Sequence, residues 1–221
     1  VNYPGVRRFG SVGKPLPGVK IEIDNSVQGS KEEDGEIVAY GENIMLGYHN
    51  LPEKTKETIT PDGGLRTGDL GHLDSEGYLY ITGRVKEQYK LDIGEYVAPA
   101  PLEETLKLSA YIDQVMLYGF NRPNNVALIV AAMPAVEQYA QSNGISGSGE
   151  NLLKESSIRD LFREELSVYG KDFKSFEHPQ NFALLAEEWS IDNGLLTPTL
   201  KLKREVVEQK FKDQIESLYS E

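Results

Sequence analysis

The chain has 221 residues, 39% of them apolar and 26% charged, enough to bury one large core or two small ones. A net charge of −12 weighs against nucleic-acid and anionic-membrane surfaces, which call for basic patches. The absence of cysteine excludes disulfide scaffolds, thiolate catalysis and cysteine zinc sites.

The three histidines, His49, His72 and His178, have no ligand spacing and read as structural or solvated. No apolar run reaches the roughly 18 residues of a membrane helix, and no signal peptide is visible. The first residue is Val, so the chain is expected to begin inside a longer protein or to have a trimmed start.

Residues 1–20 are rich in Gly and Pro and feed a strand over 19–24, where Val, Ile and Ile alternate with Lys, Glu and Asp. A polar loop over 28–35 leads to a second strand at 36–40. Residues 52–60 read as a helix, stopped by Pro61-Asp62-Gly63-Gly64. Segments 70–73 and 78–81 form a hairpin around 74–77. Short strands and turns of this kind suit a small β-barrel or β-rich subdomain. The texture changes at 83–86, where a domain boundary is placed, giving domains 1–83 and 84–221. Beyond it come a helix at 101–109, strands at 114–120 and 126–132, a helix at 134–142 and a flexible loop at 143–150. A helix at 153–169 follows, with Ile158, Leu161, Phe162 and Leu166 on one face. A strand at 181–185 and a helix at 204–218 complete a pattern that indicates an α+β or α/β sandwich. There are no internal repeats.

Three constellations carry chemistry. Thr67-Gly68-Asp69-Leu70-Gly71 places a carboxylate in a glycine-flanked turn, and Gly83-Arg84-Val85-Lys86-Glu87 adds two cations after a short strand. An ionised carboxylate can accept from both hydroxyls of a ribose, and hydrogen bonds to charged groups contribute about 1.5–3 kcal/mol. Asp after Gly also serves simply as a turn cap, and Arg84 and Lys86 could be a solvated pair. At 196–204 the sequence Leu-Thr-Pro-Thr-Leu-Lys-Leu-Lys-Arg gathers three cations at a helix start, where they oppose the dipole and ask for an anionic partner. Glycines at 35, 41 and 47 serve turns or close packing.

Together with 35–48, these segments resemble the adenylate-forming enzymes, and among them most closely the long-chain fatty acyl-CoA synthetases. Gly47-Tyr48 with Thr55 or Thr58 completes the upstream signature. The resemblance implies a β-rich subdomain hinged to a small α+β lid domain. It implies that Asp69 binds ribose, that Arg84 contacts the ribose and phosphate region, and that Lys86 is the hinge. The loop 90–99, with Gly94, Glu95 and the later Glu103, would enter the site for the thioester step, Gly94 letting the pantetheine thiol of CoA approach the backbone. Ala100 and Pro101 stand where long-chain enzymes usually have Glu and Lys, which reads as a changed helix start.

Aligned to Lys-x-x-Arg, Lys201 is the catalytic lysine and Arg204 the trailing arginine, with Lys203 the competitor. Most of the superfamily has Gly before that lysine; here it is Leu200, as in the long-chain branch. A mobile cation there stabilises charge as a carboxylate attacks the α-phosphate of ATP. The implied reaction makes an acyl-adenylate and pyrophosphate, then acyl-CoA and AMP. The Ser/Thr/Gly-rich phosphate loop, the Thr-Glu pair for magnesium and the fatty-acid tunnel are not in this sequence. The chain alone is therefore expected to catalyse nothing and to bind ATP weakly, its partner being the missing N-terminal domain. An intracellular setting is expected, cytoplasmic or peripheral on an internal membrane. Alternatives are a short-chain or aryl acid ligase, a carrier-loading adenylation domain, or a non-enzymatic module that kept the lid fold.

Overall fold

A computed structural model describes residues 1–27, 30 and 34–220; most of the expected polar loop, at 28, 29 and 31–33, lies outside the described residues. The architecture is α+β, as expected. The chain divides into two compact units, Val1–Gln88 and Tyr89–Glu221, the division falling downstream of the expected Gly83/Arg84 boundary.

The first unit is built on a four-stranded antiparallel sheet in sequence order: β1 (Lys20–Asp24), β2 (Gly35–Tyr40), β3 (Leu65–Leu73) and β4 (Leu79–Arg84). Ile37 and Val38 of β2, Leu70 of β3 and Tyr78 supply its buried apolar core. The N-terminal segment covers the outer edge of β4. Val12 N–H donates to Leu79 O at 2.8 Å, and Leu79 N–H donates to Gly13 O at 2.9 Å. Capping an open edge in this way prevents it from pairing with another chain. Helix α1 (Pro52–Thr58) starts on Pro, whose missing N–H is unpaired at a first turn anyway, and buries no residue.

β3 is longer than the 70–73 strand expected and runs straight through Thr67-Gly68-Asp69. The supposed turn is a bulge. Between Glu36↔Leu70 and Val38↔Arg66 one β2 residue faces three on β3, and Gly68 takes φ +73° to absorb the excess. Gly and Asp favour turns and bulges alike, so local composition could not separate them.

The second unit opens with a short hairpin, β5 (Tyr89–Lys90) and β6 (Tyr96–Val97), where a loop was expected. Helix α2 (Pro99–Leu106) follows. It starts at Pro99 rather than at 101; Pro101 is tolerated inside because first-turn N–H groups have no intrahelical acceptor. A three-stranded sheet has the order β7 (Ile112–Tyr118), β8 (Asn125–Ala131), β9 (Pro179–Leu185), antiparallel then parallel. Helices α3 (Met133–Ser142) and α4 (Ser156–Tyr169) lie in the β8–β9 connection.

Every residue of the central strand β8 is buried, and its side chains alternate between two cores. Ala127, Ile129 and Ala131 join Leu106, Val136, Ile158, Phe162 and Leu166 from the helices. Val126, Leu128 and Val130 join Trp189, Leu195, Val207 and Ile215 on the other face. The α4 face expected from the sequence is buried as expected. Leu152 and Leu153, however, enter the core from a 3-10 turn (Gly149–Lys154), and the α-helix begins only after Glu155. The final helix is two, α5 (Arg204–Lys210) and α6 (Lys212–Ser217), because Phe211 sits at φ −106°, ψ 19°. The i→i−4 bonds continue across it, from Phe211 N–H to Val207 O and from Ile215 N–H to Phe211 O, each at 2.9 Å.

Candidate functional site

In the first unit Asp69 and Arg84 are register partners on β3 and β4, with Arg84 Nε 3.1 Å from Asp69 Oδ1. The carboxylate is a quarter exposed and the guanidinium about half, so both present free surface to a ligand. The backbone beneath Asp69 is heavily constrained. Thr67 Oγ1 donates to Ile37 O at 2.8 Å and accepts from Asp69 N–H at 3.1 Å. Buried Glu36 accepts from Gly68 N–H at 3.1 Å through one oxygen and from Arg66 at 2.5 Å through the other. Arg66 also meets Asp24 at 2.8 Å. Its bonds to Glu36, and then to Asp24, raise the guanidinium pKa further above its ordinary value.

Sequence reading missed Glu36 as a member of this site. The available signal was a carboxylate in a strand otherwise due for burial, which must be paired to be tolerated. The left-handed φ of Gly68 gives a direct test. A methyl there would meet no atom within 4 Å, so Gly68→Ala acts through backbone strain alone. Chemical denaturation is expected to show a loss of about 1–2 kcal/mol.

Lys86 lies exposed in a 3-10 turn (Val85–Glu87), with Arg84 and Gln88 extended on either side of it.

In the second unit Gly94 and Glu95 are exposed at the tip of the β5–β6 hairpin. Leu91 N–H donates to Glu95 O at 2.8 Å, Gly94 N–H donates to Leu91 O at 3.0 Å, and Gly94 is left-handed at φ +95°. A methyl there would touch nothing within 4 Å, so the backbone at Gly94 is open to an approaching group. The hairpin is held at its base by Leu91 and Val97, both buried. Asp92 N–H to Arg122 O at 3.0 Å and Asn121 N–H to Lys90 O at 2.9 Å tie it to the β7–β8 loop.

Residues 195–203 form a second tight hairpin. Leu196 bridges Leu202, and Lys203 N–H donates to Leu195 O at 2.9 Å. Thr197 N–H donates to Lys201 O at 2.8 Å, while Lys201 N–H donates back to Thr197 Oγ1 at 3.0 Å. The Lys201 side chain is exposed, and no ion pair holds it among the described residues. Arg204, one turn on, behaves differently: its guanidinium grips buried Glu103 of α2 with both nitrogens, one bond being 2.9 Å. Glu103 also accepts from Leu117 N–H at 2.7 Å. Of the three cations read as asking for an anion, Arg204 thus has its partner within the unit, while neither Lys201 nor Lys203 forms an ion pair among the described residues, and Lys201 is the more exposed of the two.

No protein-family profile matches the chain. Curated relatives match it from end to end. Human long-chain-fatty-acid–CoA ligase 1 is 36% identical over 226 residues, spanning 100% of this chain and 32% of its own length. This chain is a homologue of the long-chain fatty acid–CoA ligases. Mouse long-chain-fatty-acid–CoA ligase 5 is likewise 36% identical, across 99% of the chain and 33% of its own length. The ligase homologue thus spans about a third of the length of the relatives it matches. Its fold is that of adenylating domains. The adenylation domain of a carboxylate reductase from Mycobacterium chelonae superposes with a TM-score of 0.75 at 26% identity, over 98% of this chain and 33% of that one. The corresponding domain from Segniliparus rugosus, solved with AMP and a co-purified carboxylic acid, gives a TM-score of 0.74 at 24% identity and supports the fold alone.

Proposed function

We propose that these residues are the C-terminal third of an ATP-dependent long-chain fatty acid–CoA ligase. End-to-end similarity to ligases of that name carries the reading, and the geometry fits it. Asp69, steadied by Gly68, Thr67 and Glu36, accepts from the ribose hydroxyls of ATP, with Arg84 beside it turned to the ribose and phosphate. Unpaired Lys201 meets the α-phosphate as the fatty carboxylate attacks, stabilising the charge that builds there while pyrophosphate leaves. The CoA thiol then attacks the acyl carbonyl, and AMP departs. Gly94 and Glu95 line the thiol's approach, and Lys86 is the hinge between the two arrangements. Magnesium is expected on the ATP phosphates. Its protein ligands are expected in the N-terminal part of the enzyme, and none of these steps runs through it. With ATP and CoA as substrates the enzyme works inside the cell, in the cytoplasm or on the face of an internal membrane; no helix among the described residues is long and apolar enough to cross one.

The test is acyl-CoA formation by the full-length enzyme with acetate, octanoate and palmitate. Palmitate is the expected substrate, and Asp69→Ala is expected to weaken ATP binding about tenfold or more. A preference for acetate or an aryl acid would move the reading to another acid ligase. The carboxylate reductase likeness supports a second reading, an adenylation domain that loads a carrier protein. Acyl transfer to a phosphopantetheinyl carrier in preference to free CoA would select it. Silence on every acid would favour a binding module.

A further inference from the structure

The two hairpins of the second unit share one turn. In each, the first residue donates its N–H to the fifth residue's carbonyl, and the fourth donates to the first: Leu91–Glu95 and Gly94–Leu91 in one, Thr197–Lys201 and Leu200–Thr197 in the other, at 2.8 to 3.0 Å. This is the three-residue hairpin loop, whose last residue is left-handed and ordinarily glycine. Gly94 fills that place at φ +95° in the first hairpin. In the second the place belongs to Leu200, at φ +60°. The other non-glycine residues with positive φ among those described, Asn50 and Asn121, are of the type that tolerates it. Leucine is not, because its Cβ crowds the following carbonyl.

Nor does Leu200 gain much burial within its own unit. Its side chain is 70% exposed, more than that of most large apolar residues here. A glycine or asparagine would relieve the backbone and give up little burial. Strain and exposure at one residue, directly before exposed Lys201, which no ion pair holds among the described residues, indicate a side chain retained for an encounter outside the unit.

We propose that Leu200 is the apolar half of the contact that brings Lys201 to its substrate. When Lys201 reaches the reacting carboxylate and phosphate, Leu200 is buried against an apolar wall of the site where ATP and fatty acid react. Burial of the leucine then favours the adenylating arrangement, while Lys201 supplies the charge. This rests on the reading of Lys201 as the adenylating lysine.

The experiment pairs ATP–pyrophosphate exchange by the full-length enzyme with thermal unfolding of the 221-residue chain. The variants are Leu200→Gly, Leu200→Asn, Leu200→Met and Lys201→Ala. Leu200→Gly is expected to raise the unfolding midpoint by about 2–4 °C and to slow exchange about ten- to hundredfold. Leu200→Asn is expected to follow it, and Leu200→Met to stay near wild type in both. Stability and rate moving in opposite directions separates a docking role from a structural one, which moves them together. Wild-type exchange by Leu200→Gly, with Lys201→Ala slow, overturns this proposal and leaves the lysine's role standing. A Leu200→Met enzyme as slow as Leu200→Gly also overturns it. Wild-type exchange by Lys201→Ala removes the reading beneath it and the proposal together.

Discussion

Lys201→Ala in the full-length enzyme is expected to slow acyl-adenylate formation about 100- to 1000-fold, the usual loss when one preorganised charge-stabilising donor is removed from an acyl or phosphoryl centre. Conversion of supplied acyl-adenylate to acyl-CoA is expected to fall far less, because the thiol attacks the acyl carbonyl and no crowded phosphorus centre forms in that step. Folding does not confound the result. The side chain is exposed and forms no ion pair among the described residues, so its truncation changes stability by no more than about 0.5 kcal/mol. The turn around it is held by the Thr197 hydroxyl and by backbone bonds, which alanine keeps. Lys203→Ala is the companion variant. Lys203 stands at the N-cap position of α5 without a side-chain cap bond, and its backbone N–H, which alanine keeps, is anchored on Leu195 O, so a near-normal rate is expected. ATP–pyrophosphate exchange measures the first half-reaction directly. Should the two variants exchange phenotypes, the catalytic role passes to Lys203.

The fold class and most elements were legible in the sequence because their apolar periodicity is strong. The α4 face of Ile158, Leu161, Phe162 and Leu166 is an example: each is buried as its spacing requires. What escaped depends on partners distant in sequence. Thr67-Gly68-Asp69 looks like a turn until Glu36 and Ile37 are placed beside it, some 30 residues upstream. The β5–β6 hairpin has strands of two residues, too short for alternation to register. The left-handed turn at Leu200 escaped for the opposite reason, since leucine argues against the conformation it adopts. Asp69, Arg84 and Lys201 became candidates because motifs fix their spacing. That Asp69 and Arg84 are register partners required the strands themselves.

Arg204 was read as a trailing cation, and its partner lies 101 residues away. That pair gives the second large expected effect. Glu103 and Arg204 are about 8% and 28% exposed, and the carboxylate also holds Leu117 N–H. Glu103→Ala takes the carboxylate away from a largely buried guanidinium and a strand N–H together. Breaking a buried pair by removing one partner costs about 3–5 kcal/mol; with Arg204 retaining some water, about 3 kcal/mol is expected here, read as a fall in the denaturation midpoint of the 221-residue chain. The double variant Glu103→Gln, Arg204→Met should recover most of it, because the glutamine oxygen still accepts from Leu117 and both charges of the pair are removed together. Activity distinguishes a second consequence. Glu103 sits on α2, which follows the Gly94 hairpin, and Arg204 opens α5, which follows the Lys201 hairpin. The pair therefore fixes the roots of both loops. If that anchoring matters for chemistry, the double variant regains stability yet adenylates slowly; if the pair only holds the unit together, rate and stability return in step.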